Sequence, residues 1–136
     1  MNYDALYAHI KKSEDFKSKM YRCPAGHWTI GYGFNLEEHS ISEKIAELLL
    51  DQVVEIAEAD VHSIFPAFDT YSDNRQLALT DMCYNLGKSR FLKFQRLIDA
   101  VKDQRWSDAA EEMKYSRWYG QVGGRAETLV KLMQEG

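Results

Sequence analysis

The chain has 136 residues, of which 45% are hydrophobic and 28% are charged. These shares are typical of one folded globular domain and exclude a largely disordered chain. The formal net charge of -4 argues against nucleic acid as a partner, because domains that bind nucleic acid are usually basic. The only two cysteines, Cys23 and Cys83, show neither a disulfide framework nor the ligand spacing of a zinc site.

The N-terminus has neither the basic start nor the sustained apolar run of a signal peptide. No run of apolar residues is long enough to cross a bilayer, so no stable membrane insertion is expected. The sequence therefore predicts a protein that is made and folded in a cytoplasm.

The first predicted element is a short amphipathic helix over residues 3–12, because Leu6 and Ile10 are spaced four residues apart. Glu14 stands where this helix runs out. Two short strands are predicted next, over 19–22 and 28–32, with a turn between them that contains Pro24 and Gly26. A hairpin of this kind, folded back against the helix end, can bring three chemically useful side chains together: Glu14, Cys23 and Thr29.

A long helix is predicted after a connector at 34–39. Ser40 with Glu43 fits a capping box at its start, Ser42 is an alternative cap, and Pro66 ends it. Apolar residues at helical spacing predict its buried stripe: Ile45, Leu49, Val53, Ile56 and Ala57.

The remaining sequence predicts further helices. One is capped by Ser72 or Asp73 and stops at Gly87. Its inward set is predicted to be Leu77, Met82, Cys83 and Leu86. Further apolar sets lie at 94–101, 106–113 and, after a Gly-Gly break, 129–133. Six or seven helices and one small hairpin predict an α+β fold that is mostly helical.

Two blocks of sequence carry a resemblance. The first has the spacing Glu-x8-Cys-x5-Thr, from Glu14 through Cys23 to Thr29, and continues as Trp-Thr-Ile-Gly-Tyr-Gly. The second is Ser-Arg-Trp-Tyr at 116–119, followed by Gln121 and by Arg-Ala at 125–126. Together they resemble the phage-type lysozymes, the bacteriophage endolysins that cleave peptidoglycan as muramidases (glycoside hydrolase family 24).

The resemblance implies a single domain over 1–136 with a lysozyme-like, two-lobed fold. A small N-terminal β-hairpin lobe would cover about 13–39, and a long connecting helix would cover about 41–64. The C-terminal helical lobe would cover about 66–136 and would also include the N-terminal helix at 3–12.

The resemblance also implies roles for the residues of the first block. Glycoside hydrolysis needs a general acid for the leaving oxygen and a group that activates or delivers water. Glu14 would be the acid, and Cys23 with Thr29 would activate or position the water. To stay protonated near neutral pH, Glu14 needs a pKa of about 6–7, which requires partial burial or a nearby negative charge. We expect the walls of the cleft to supply that burial; the bland alternative is a solvated glutamate at a helix end.

Cys23 departs from the commoner family pattern, in which many members carry aspartate, although cysteine also occurs. A free thiol with a pKa of about 8.5 is only a few per cent thiolate at pH 7. Arg22 or Arg125 could favour the thiolate. Three roles stay open for Cys23: general base, nucleophile, or neutral group that positions water; the resemblance favours the first, with inversion. The bland alternatives are a small apolar filler for Cys23 and a strand-forming residue for Thr29.

The resemblance extends to the helical part of the chain. Tyr84 and Asn85 fall where the family lines its cleft, and Arg117 and Arg125 fall where it places basic groups near that cleft. Both arginines could instead only bond helix ends. Trp118 is expected in the core. These four residues, Tyr84, Asn85, Arg117 and Arg125, are the predicted substrate-binding set.

The expected partner is bacterial peptidoglycan, cut at the β-1,4 bond from N-acetylmuramic acid to N-acetylglucosamine without metal or organic cofactor. A monomer is expected, made in the host cytoplasm and acting in the periplasm or cell wall, with a separate pore-forming protein for export. The role would be host-cell lysis by a phage. Two rivals remain: a cysteine-dependent peptidoglycan peptidase or amidase that uses Cys23, and a non-catalytic lysozyme-like part of a virion or wall-binding protein.

Overall fold

Eight α-helices and a three-stranded antiparallel sheet make up the chain, which a computed structural model describes over all residues 1–136. The predicted mostly helical α+β fold is confirmed. The internal contacts divide the chain into two units, Met1–Ala46 and Glu47–Gly136. The predicted lobe boundaries stay a prediction. None of the helices combines the length and the apolar character that a membrane span requires.

The first unit begins with helix α1 (Tyr3–Glu14), which ends two residues later than predicted. Asn2 caps it, because its side chain accepts a hydrogen bond from the N–H of Ala5 at 3.0 Å. The chain leaves the helix at Asp15, whose positive φ of 62° breaks the helical path. Glu14 is therefore the last helical residue, as the sequence indicated.

The sheet consists of β1 (Lys17–Arg22), β2 (Trp28–Gly31) and β3 (Phe34–Asn35), in that spatial order. The predicted hairpin is confirmed as the β1–β2 pair. The predicted connector at 34–39 is wrong at its start, because β3 pairs there with β2. A two-residue strand is too short to show the alternation by which strands are recognised in a sequence.

Thr29 lies at the centre of this sheet, opposite Tyr21 of β1 and Asn35 of β3. It is 3% exposed and is the only buried residue of the first unit. The first unit therefore depends on its backbone ladder and side-chain hydrogen bonds more than on an apolar core.

Helix α2 (Glu43–Ile64) begins after Ser42, whose hydroxyl accepts a hydrogen bond from the N–H of Ile45 at 3.3 Å. The capping box at Ser40 is therefore wrong and the alternative cap is right. The predicted buried stripe is also largely wrong: of its five members only Ala57 is buried, and the other buried residues of α2 are Val61 and Ile64. Apolar spacing shows which face a helix can bury, but the core of the second unit covers only its last turns.

Helix α3 (Asp73–Leu86) is capped by Ser72, whose hydroxyl accepts from the N–H of Arg75 at 3.3 Å, and it ends at Gly87. Its predicted inward set is wrong at Leu77, which is exposed. The buried residues of α3 are Ala78, Leu79, Met82 and Cys83.

Five helices complete the second unit: α4 (Lys88–Phe91), α5 (Gln95–Lys102), α6 (Trp106–Lys114), α7 (Arg117–Val122) and α8 (Gly124–Glu135). The short α4 was not predicted. Their apolar faces build one core whose largest fully buried side chains include Phe65, Phe91, Leu97, Met113 and Met133. Trp118 is buried in this core, as expected.

Candidate active site

Glu14 places its carboxylate over the backbone of Gly33. A Cβ atom built on Gly33 would lie 2.5 Å from Oε2 of Glu14 and 2.6 Å from its Cδ. Gly33 has a φ of +73°, a conformation that side-chain-bearing residues rarely adopt. Only glycine therefore lets the turn between β2 and β3 approach the carboxylate so closely. Glu14 is exposed, so the expected burial of this side chain is wrong.

The turn between β1 and β2 surrounds the thiol of Cys23 with backbone N–H groups. The N–H of Cys23 donates to the carbonyl of His27 at 2.9 Å, and its carbonyl accepts from the N–H of Gly26 at 2.8 Å. The N–H of His27 donates to the sulfur, and this bond is the largest cause that lowers the pKa of Cys23 below its ordinary value. Partial burial opposes the shift, while Ala25, Thr29 and Gly26 add to it.

The expected support of the thiolate by Arg22 is wrong. Arg22 donates from Nη1 to the carbonyl of Gly26 at 3.0 Å, and its guanidinium carbon lies 4.2 Å from the ring centroid of Trp28. It therefore braces the turn, while the pKa of Cys23 is lowered by hydrogen bonds without a contribution from Arg22.

Thr29 is joined to Cys23 through the same turn. Its hydroxyl donates to the carbonyl of His27 at 2.9 Å and also lies within hydrogen-bond reach of the Cys23 sulfur. A hydroxyl carries one proton, so it can donate to only one of these two acceptors at a time. Because Thr29 is almost fully buried, its hydroxyl acts on groups directly beside it.

The two cysteines differ in a way that alkylation will reveal. Cys83 is 2% exposed, and burial raises the pKa of its thiol to about 11. Cys23 is half-buried and has a lowered pKa. We expect iodoacetamide at pH 7 to modify Cys23 in the folded protein and to leave Cys83 free, since the thiolate is the reactive form. Peptide mass mapping measures this; equal modification of both thiols before unfolding would contradict it.

In the second unit, Tyr84 and Arg125 line an open cavity of about 600 Å³. Arg125 is bound there to Asp81 through two hydrogen bonds, one of them 3.0 Å long from Nε. This ion pair raises the pKa of the Arg125 guanidinium. Leu77 lines the same cavity, which explains why it is not in the core.

Asn85 and Arg117 do not line that cavity. The side-chain oxygen of Asn85 accepts a hydrogen bond from Nε1 of Trp118 at 3.1 Å and so satisfies the polar end of a buried ring. Arg117 is exposed in the first turn of α7, next to the capping residue Ser116. The predicted substrate-binding set is thus split: two residues share a cavity, one supports the core, and one is free on the surface.

Sequence reasoning missed two residues of the first unit. Gly33 contacts Glu14, and Glu37 binds the turn that carries Cys23. The Gly-Tyr-Gly string marks a tight turn, but nothing in it indicates which side chain the turn meets. Nowhere do three or more His, Cys, Asp or Glu side chains come together in a group that could hold a metal ion.

Several known proteins are similar to this chain. The family model described as Phage lysozyme matches residues 11–134. The chain is 22% identical, over 156 aligned residues, to a protein of Dictyostelium discoideum named Probable T4-type lysozyme 2, with 93% of this chain and 92% of the relative covered. It is 26% identical over 132 residues to the Endolysin of Acyrthosiphon pisum secondary endosymbiont phage 1, covering 92% and 85% respectively. It is also 26% identical over 100 residues to the Pre-baseplate central spike protein Gp5 of Enterobacteria phage T4, covering 71% of this chain and 17% of that protein.

Proposed function

Because this chain belongs to the phage lysozyme family, we propose that it is a muramidase that cuts bacterial peptidoglycan. Family membership and the similarity to an endolysin support the class of peptidoglycan hydrolase. Within that class, the bond cut would be the β-1,4 link from N-acetylmuramic acid to N-acetylglucosamine.

The observation that carries the proposal is that one small unit holds both a carboxylate and a hydrogen-bonded thiol. The carboxylate of Glu14, at the end of α1, lies against the turn that follows β2. Cys23 begins the turn that precedes β2 and lies within hydrogen-bond reach of Thr29 on that strand. These are the two kinds of group that glycoside hydrolysis requires.

Glu14 would act as the general acid and give its proton to the glycosidic oxygen. Glu14 is exposed in the free protein, so the polymer itself would have to cover the acid. Sugar rings that displace water from its carboxyl group would favour the protonated form that a general acid needs. The partial burial that the mechanism needs would thus come from the substrate.

Cys23 would act as the general base and take a proton from the attacking water. The backbone N–H groups of the turn favour the thiolate, which is the form that accepts this proton. Thr29 would position the attacking water through its hydroxyl, whose oxygen can accept a hydrogen bond while its one proton is donated elsewhere. Attack by water on the face opposite the leaving oxygen gives inversion at the anomeric carbon.

The proposed substrate-binding residues differ in their surroundings. They are Tyr84, Asn85, Arg117 and Arg125. A tyrosine ring and a guanidinium in one cavity suit a sugar polymer that carries carboxyl groups, although Asp81 already pairs with Arg125. Asn85 would act indirectly, since its side-chain oxygen binds Trp118.

The biological role would be lysis of the host cell by a phage. The protein would act as a monomer in the periplasm or cell wall after synthesis in the host cytoplasm. A separate pore-forming protein would then be needed for its release.

One alternative function is favoured by a specific similarity. The match to a central spike protein indicates that domains of this family also occur in virion components, so the chain could serve a virion. The peptidase or amidase alternative is less favoured, because Cys23 follows a strand and precedes a turn, whereas catalytic thiols are commonly activated at helix N-termini.

Product analysis tests the proposed function directly. Purified peptidoglycan is digested, reduced with borohydride and examined by mass spectrometry, with Glu14→Gln as the inactive control. New reducible ends on N-acetylmuramic acid would support a hydrolysing muramidase. Free peptides would instead indicate an amidase or peptidase, anhydro ends would indicate a lytic transglycosylase, and an unchanged polymer would indicate a non-catalytic component.

The contact between Gly33 and Glu14 gives a prediction with a matched control. Gly31 and Gly33 both have positive φ, +69° and +73°, so alanine at either position should cost about 1 kcal/mol of stability. A Cβ on Gly31 meets nothing within 4 Å, whereas one on Gly33 collides with the Glu14 carboxylate. We expect Gly33→Ala to lower the hydrolysis rate about tenfold to a hundredfold, because the acid is displaced.

Gly31→Ala should keep most of the activity at the same loss of stability. Thermal melting and the rate of peptidoglycan clearing, measured on both variants, separate the two effects. Equal activities of the two variants would show that the position of Glu14 does not depend on Gly33.

A further inference from the structure

One carboxylate oxygen of Glu37 holds the turn that carries Cys23. It accepts a hydrogen bond from Nδ1 of His27 at 2.8 Å and another from the backbone N–H of Trp28 at 3.1 Å. A carboxylate can only accept, so Nδ1 must carry the ring proton of this bond. Two donors on consecutive residues are thus fixed by a single oxygen.

The backbone around Glu37 is itself held by hydrogen bonds. The side-chain oxygen of Asn35 accepts from the N–H groups of Glu37 and Glu38, at 2.9 and 3.1 Å. The N–H of Leu36 donates to the carbonyl of Trp28 at 2.8 Å. Glu37 therefore acts from a rigid base on the sheet, not from a mobile loop.

Glu37 holds the peptide between His27 and Trp28, and the carbonyl of that peptide binds two groups of the site. The carbonyl of His27 accepts from the N–H of Cys23 and from the hydroxyl of Thr29, both at 2.9 Å. The N–H of the same residue donates to the Cys23 sulfur. The carbonyl of His27 and the N–H of Trp28 belong to the same peptide group, so a rotation of that peptide would disturb the two bonds to the carbonyl together.

The geometry points to Glu37 as a positioning residue for Cys23, which acts by fixing the ring of His27 and the peptide after it, whose carbonyl holds the N–H of Cys23 and the hydroxyl of Thr29. The effect of Glu37 on the reaction rests on the proposed function, but its effect on the pKa of the Cys23 thiol does not. The groups that act on the sulfur are all hydrogen-bond donors of this hairpin, and no charged side chain is among them. The charged or titratable side chains of the hairpin that brace the turn are Arg22, His27 and Glu37.

This effect differs from that of an ordinary surface ion pair. The side chains of His27 and Glu37 are 43% and 47% exposed, so the pair alone contributes little to folding. The loss of Glu37 should therefore appear at Cys23 more clearly than in the melting temperature. Glu38 provides the control, because it is the next residue and only its backbone N–H is hydrogen-bonded.

The experiment measures the pKa of Cys23 from the pH dependence of its alkylation rate with iodoacetamide, followed by peptide mass mapping. We expect Glu37→Ala to raise this pKa by about 0.5 unit and to lower the alkylation rate at pH 7 about threefold, because the turn whose N–H groups favour the thiolate is held less tightly. Glu37→Gln, which keeps the shape of the side chain, should give a smaller shift in the same direction. Glu38→Ala should behave like the wild type.

Folded Glu37→Ala and Glu37→Gln variants with an unchanged thiol pKa would overturn the inference. If Glu37→Ala does not fold, the comparison of Glu37→Gln with Glu38→Gln decides the question. The titration needs no substrate, so it stands even if peptidoglycan proves not to be cleaved. In an active enzyme, the acid side of the pH–rate profile should move to higher pH along with the thiol pKa.

Discussion

Replacing Glu14 by Gln is expected to lower the rate of peptidoglycan hydrolysis about a hundred- to ten-thousandfold. The amide keeps the shape of the side chain but has no proton to give to the leaving oxygen, and general acid catalysis is worth about this much. Glu14 is exposed and makes no hydrogen bond or ion pair through its side chain within the protein, so the melting temperature should hardly change. The rate is followed by clearing of a peptidoglycan suspension.

The adjacent carboxylate supplies the matched control. Asp15 is exposed, pairs with Lys17 at 3.6 Å and has a positive φ that asparagine also tolerates. Asp15→Asn should therefore retain nearly full activity. If both variants lost activity equally, the effect would reflect local charge; if neither did, Glu14 would have no role as the acid.

Replacing Cys23 by Ala is expected to lower activity about a hundredfold, whereas Cys23→Asp should retain it. Alanine removes the group that accepts the proton of water. Aspartate restores an acceptor in a turn whose backbone N–H groups already stabilise a negative charge. Neither change removes the backbone bonds between residue 23 and the turn.

The pH dependence of the Cys23→Asp variant should change in a definite direction. The base must be deprotonated to work, and a carboxyl group has a pKa of about 3.9 where a free thiol has about 8.5. The acid side of the pH–rate profile should therefore move to lower pH in Cys23→Asp. Cys83→Ala is the control for loss of a thiol elsewhere. A Cys23→Ala variant as active as the wild type would remove Cys23 from the mechanism, leaving the thiol a simple filler.

Local rules identified several features correctly from the sequence. Neighbouring residues predict the cap at Ser72, which was one of two alternatives, and the turn between the first two strands. The spacing of Glu14, Cys23 and Thr29 pointed to a site only through a family resemblance, and their roles stay proposals. These features involve residues that are close along the chain.

Features set by distant residues could not be predicted in this way. The predicted buried face of α2 was too long, because the periodicity of apolar residues does not show how far along a helix the core reaches. Arg22 was considered as a support of the thiolate, because charges are visible in a sequence and the direction of backbone N–H groups is not. The contact of Gly33 with Glu14 depends on how a helix end meets a turn.

The most direct test of the account is proton NMR of the first-formed sugar anomer. With a β-linked cell-wall oligosaccharide, a Glu14 acid and a Cys23 base that directs water should release the α-anomer first, before it equilibrates. If the β-anomer appeared first, the reaction would pass through two displacements, and Cys23 could not act as the base to a single attacking water.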